Sequence, residues 1–101
     1  MATTSKALFR GAATTNTATT LYTVPAATTA IVTNIVVTNT AGASGTFTIS
    51  LDGVSIATTV TVGAYDSTII DMKQALAATK IIAGGASATT INFHISGVEV
   101  A

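Results

Sequence analysis

Residues 21–40, LYTVPAATTAIVTNIVVTNT, carry no charge, the only proline of the chain and its densest run of β-branched side chains. Val, Ile and Thr lose rotamer freedom on a helix and fit a pleated surface, so this stretch reads as strand. Side chains alternate across a strand with period two. Ile31, Thr33, Ile35 and Val37 therefore share one face, and Val32, Asn34, Val36 and Thr38 share the other. The first face is the more apolar; the second mixes Val with Asn and Thr. That is the pattern of a central strand in a two-layer protein, one side in the core and the other partly covered. The remaining strands are expected to assemble around it. Pro25 ends a short strand over residues 21–24, because proline removes a ladder donor.

Further along, residues 46–58 alternate Phe47, Ile49 and Leu51 with Thr46, Thr48 and Ser50, and then reach Asp52-Gly53. That dipeptide supplies the two positive-φ residues of a type I′ hairpin. The turn pairs Leu51 with Val54 and Ile49 with Ile56, and puts all five apolar residues on one face. A breaker cluster at residues 39–45 precedes this hairpin, and a second turn at residues 63–67 follows it. Residues 68–72 read as a strand with Ile70 and Met72 on one side and Ile69 and Asp71 on the other. Residues 71–76 favour a single helical turn by propensity. Residues 79–83 read as a short strand and Gly84-Gly85-Ala86-Ser87 as a flexible turn. In the last segment Ile91, Phe93 and Ile95 alternate with Asn92, His94 and Ser96. The apolar phase then slips to Val98 and Val100 at Gly97, which predicts a bulge and a strand crossing from one sheet environment to another. About eight short strands with turn signals every 8–12 residues or so predict an antiparallel β-sandwich, jelly-roll-like, in a single domain over residues 21–101.

The first twenty residues differ in composition. They are rich in Thr and Ala, with Lys6 and Arg10 as their only charges. Residues 6–13 contain a short edge strand anchored by Leu8 and Phe9, and residues 14–20 have no pattern. The expectation is an extended N-terminal arm over residues 1–20 that orders against a partner, with Phe9 buried and Arg10 paired, while residues 21–101 fold without it.

Composition limits the chemistry. Charged residues are 8% of the chain, against about 25% in ordinary soluble domains, and the net charge is zero. A surface so poor in charge does little to keep copies apart, which fits a protein that spends its life packed against others. There is no cysteine, hence no disulfide framework, thiolate metal site or thiol nucleophile. No apolar run reaches the roughly 20 residues of a membrane helix, and the N-terminus lacks a signal-peptide core, so no membrane association is expected and synthesis is expected in the cytoplasm of the producing cell. His94 is the only histidine and has no neighbouring base or acid in sequence, so it reads as a surface or interface residue. Asp66 and Asp71 fall short of the six or more oxygens of a calcium site. Gly84-Gly85 precedes neither a helix nor a Lys-Ser/Thr pair, and four scattered cations make no nucleic-acid stripe. Without Trp, only Tyr22 and Tyr65 remain as large flat platforms for a glycan. No catalytic residue, cofactor, metal or small-molecule substrate is expected.

The strings LYTVPA, IVTNIVVTNT, TISLDGV, IIDMKQAL and INFHISGVEV resemble a group of small β-sandwich structural proteins of tailed bacteriophages, of the head-decoration or minor capsid type. The resemblance covers residues 21–100. It implies a virion protein without active site that cements a capsid by binding between major capsid subunits, commonly as a homotrimer on the outside of the shell. The alternative within the same group is a small tail-fibre or receptor- and glycan-binding module. On this reading Lys6, Leu8, Phe9 and Arg10 would grip the capsid. Two faces are candidates for the contact between copies: Val32, Asn34 and Val36 on the central strand, and Asn92, His94 and Ser96 on the last.

Overall fold

The computed structural model describes residues 3–101. Eight strands make up the fold: β1 (Thr3–Ala12), β2 (Thr20–Thr23), β3 (Thr29–Asn39), β4 (Gly45–Leu51), β5 (Val54–Val62), β6 (Ser67–Leu76), β7 (Ile81–Ala86) and β8 (Ile91–Val100). They form two four-stranded sheets of order β1-β8-β3-β6 and β2-β7-β4-β5. All pairings are antiparallel, and they are nested: β4 with β5, β3 with β6, β2 with β7 and β1 with β8. The chain is therefore one long two-stranded ribbon wrapped on itself, which is a jelly roll. The β3–β8 and β4–β7 ladders seal the wrap. Asp52 and Gly53, with φ of 53° and 76°, form the tip of the ribbon as the type I′ chemistry requires. The result is a rod of 45 × 21 × 18 Å.

The core lies between the sheets. Val32, Ile35 and Val37 from β3 and Ile91, Phe93 and Ile95 from β8 meet Phe47 and Ile49 from β4 and Ile82 from β7. Phe47 and Phe93 pack edge to face across the two layers, with ring centroids 6.2 Å apart. Strand β3 is interior to its sheet, as its composition predicts.

Several local expectations are corrected. The apolar face of β3 changes phase at Thr33, where the register against both neighbours shifts. Val32 is consequently fully buried and Ile31 faces outward, the reverse of strict alternation. Strand β8 does not change sheets; it stays between β1 and β3 along its whole length. The irregularity foreseen at Gly97 lies instead in the neighbours, at Leu8 of β1 and Thr33 of β3. In the hairpin, Leu51 does pair with Val54, but Ile49 pairs with Ala57 rather than Ile56. Two extra residues bulge the edge strand β5, and Val54 and Ile56 stand exposed. Residues 71–76 continue β6 instead of turning helical, because β3 supplies a ladder partner as far as Leu76. Gly84 and Gly85 belong to β7: a side chain at Gly84 would press on the Thr48 carbonyl at 2.7 Å, and one at Gly85 would overlap the Asn16 carbonyl.

The N-terminal residues form part of the sandwich. Strand β1 pairs with β8 from Thr3 to Ala12, with one extra residue at Leu8. Residues 14–19 are folded down on β7: Ala86 N–H donates to the Thr14 carbonyl and Gly84 N–H to that of Thr19. Met1 and Ala2 of the expected arm lie outside the described residues.

Candidate functional site

Register partners in a sheet share a face, so the ladders define what the β1-β8-β3-β6 sheet shows to the outside. Four rows cross it, the last of them Ser5, Val98, Ile31 and Ala75. Ala12, Asn92, Thr38 and Ser67 form the first; Arg10, His94, Val36 and Ile69 the second; Ala7, Ser96, Asn34 and Asp71 the third. The two separate candidate faces read from sequence are thus one surface. Asn34, Val36, Asn92, His94 and Ser96 all lie on it, half-buried and adjacent. Val32 does not: it points into the core.

This surface carries aliphatic side chains, as does the edge of the other sheet, where Val54 and Ile56 of β5 are exposed. Ile31, Val36 and Val98 are half-buried on it, and Ile69 is 65% exposed. The equivalent outward positions of β4 are Thr46, Thr48 and Ser50. The charges on the rows sit at opposite edges, Arg10 on β1 and Asp71 on β6. Where β6 carries one extra residue opposite Thr33, a surface depression opens, lined by Thr33, Asp71, Met72 and Lys73.

The four residues expected to grip a partner fare differently. Leu8 is in the core and Phe9 packs partly against it, so both are engaged within their own chain. Lys6 stands 3.5 Å from the Glu99 carboxylate of β8. Arg10 is exposed on the outer face beside His94. Glu99 also accepts a short hydrogen bond from the Tyr22 hydroxyl, which ties β2 of one sheet to β8 of the other. Burial, with the hydrogen bond and charge of Glu99 behind it, pushes the Tyr22 phenol well above its usual range.

Sequence reasoning passed over two residues. Ile69 was assigned to the correct side of β6, but its significance depends on Val36 being next to it, which only the β3–β6 pairing creates. Asn39 looked like part of a breaker cluster, yet it is the buried polar side chain of the core, 1% exposed. Among the described residues, no three His, Asp or Glu side chains stand together as a metal cluster would require. His94 is flanked across the ladders by Arg10 and Val36, neither of which can take its proton. The surface offers shape, aliphatic contact and a few charges for binding.

No protein-family model matches the chain, and no curated protein does. Among solved structures, the chain is similar to two pentameric capsid proteins isolated from metagenomic phage sequences. The first has 18% identity and a TM-score of 0.39, the second 15% and 0.32. Each match covers 94% of this chain and 58% or 60% of the other. The chain thus spans less than two thirds of the length of these structures.

Proposed function

We propose that this protein is a non-enzymatic structural component of a bacteriophage virion, a decoration protein that binds between major capsid subunits on the surface of the shell and associates with its own copies as a trimer. The observation that carries the proposal is the outer face of the β1-β8-β3-β6 sheet. It carries two aliphatic pairs, Val36 with Ile69 and Ile31 with Val98, among neutral polar side chains and two edge charges. Aliphatic side chains grouped on one sheet face are the kind of surface that an interface covers. The sequence resemblance described above supplies the setting, and the stoichiometry of three follows from it alone. Within the proposal the capsid grip falls on Arg10, since Leu8 and Phe9 hold the fold together and Lys6 faces Glu99.

The alternative, a tail-fibre or glycan-binding module, draws on Tyr65, which is 77% exposed at the end of the rod. Copy number separates the two. A stained gel of purified virions should show this chain at hundreds of copies if it coats a shell, and at a few if it tips a fibre. Co-sedimentation with undecorated shells is the direct test. The wild-type chain should pellet with them and Arg10→Glu should not; a chain that stays in the supernatant overturns the decoration reading.

A further inference from the structure

The two outer edges of the β1-β8-β3-β6 sheet match each other. β1 and β6 each have ten residues, and they run in opposite directions because every ladder between them is antiparallel. A rotation axis parallel to the strands keeps strand direction, so it would bring β6 of one copy beside β1 of the next as a further antiparallel pair. Arg10 and Ile69 lie in one row across the sheet, through His94 and Val36. Without stagger, Arg10 of the next copy then stands directly opposite Ile69 and one diagonal step from Asp71. Diagonal neighbours across a ladder are about 7–8 Å apart, within reach of an arginine. Its methylene stem would cover Ile69, which is 65% exposed in the single chain, while its guanidinium meets the Asp71 carboxylate.

We propose that copies of this chain join head to tail through these edges, residues 67–70 of β6 in one copy beside residues 9–12 of β1 in the next, with Arg10 opposite Ile69 and reaching diagonally to Asp71. The inference rests on the self-association proposed above but not on the capsid. The contact is confined to the half of the edges nearest Ala12 and Ser67. Beyond it both edges are irregular, β1 with an extra residue at Leu8 and β6 with one opposite Thr33, which interrupts a regular ladder there. A head-to-tail contact is heterologous: it closes into a ring when the rotation per copy divides the circle, and it uses both edges that would otherwise be free to recruit other strands.

The chain has no cysteine, which makes a direct test available. Arg10→Cys and Ile69→Cys combined place two thiols at exposed positions three strands apart, roughly 14 Å within one chain. A disulfide needs Cα atoms closer than about 7 Å, so the pair can bridge only between copies. Oxidation of the double variant should give a ladder of covalent oligomers ending at the ring, while either single variant gives nothing beyond a dimer. A folded double variant, judged by circular dichroism, that yields no more than the single variants overturns the proposal. Charge exchange gives an independent reading by sedimentation equilibrium. Arg10→Asp or Asp71→Arg alone should weaken association about tenfold or more, and the two together should restore it; failure of the pair to recover overturns the assigned contact. Ring formation without shell binding would sink the decoration reading and leave this one standing, and shell binding by a chain that never cross-links would do the reverse.

Discussion

Asn39, at the end of β3, holds two backbone segments at once. Its Nδ2 donates to the carbonyls of Ala43 at 2.8 Å and of Val62 and Gly63 at 3.3 Å, and its Oδ1 accepts from the Ala41 N–H at 3.0 Å. The side chain therefore fastens the loop after β3 to the end of β5. Buried carbonyls left without a donor cost about 1–3 kcal/mol, so Asn39→Ala should lower stability by that amount in urea unfolding. Asn39→Asp should be worse at neutral pH, since a carboxylate would then face the same three oxygens. An unchanged midpoint for either variant would mean that these bonds do not hold the loops. Nothing local in the sequence reveals this role. Asn39 lies in a run of Asn, Thr, Ala, Gly and Ser, and asparagine in such company ordinarily marks a solvated turn. Two of its three acceptors, the carbonyls of Val62 and Gly63, come from more than twenty positions away, and their arrival is a tertiary event.

At the scale of elements, the cluster at Glu99 joins three strands. Lys6 of β1 and Tyr22 of β2 both meet the carboxylate on β8, so the edges of the two sheets are linked at one end of the rod. Because the folded Tyr22 phenol holds its proton more tightly than the unfolded one, the unfolded chain binds fewer protons once pH passes the ordinary tyrosine value of about 10. The contribution of Tyr22 is thus fully present below that pH and is lost as pH rises above it. Urea midpoints at about pH 8 and about pH 11 should fall further apart for the wild type than for Tyr22→Phe; equal falls would show that the phenol does not couple to folding. Elements were legible where their cause is local. Asp52-Gly53 dictates its own turn, and Ile91, Phe93 and Ile95 state their face by alternation alone. They were illegible where the cause is a neighbour. Residues 71–76 have helical propensity but a strand beside them, and Gly84-Gly85 resembles a turn until the backbones of Thr48 and Asn16 are seen passing over it.

For the whole molecule, the jelly roll follows from eight strands, one tight central hairpin and two faces per strand, and that much was present in the pattern. The place of residues 3–12 was less visible, because an edge strand needs only one buried face and β1 keeps it short, with Leu8 the side chain fully in the core and Phe9 partly covered. Deleting residues 1–12 should remove about 1.5–3 kcal/mol from Leu8 alone and strip β8 of one flank, so loss of the cooperative melting transition in circular dichroism is expected. A truncated chain that melts like the full one would instead support a detachable arm. The nesting of the ribbon also has a consequence in time. Every strand on one side of Asp52-Gly53 waits for its partner on the other side, and β1, made first, waits for β8, made last. While a ribosome still holds the final stretch in its tunnel, the first strand has no ladder to join and the core cannot close. The ribbon then zips from the tip outward, slowly, as folds dominated by distant pairings do. Until β8 is free, the aliphatic strands stay open to any identical chain emerging nearby, and that interval is when aggregation competes with folding.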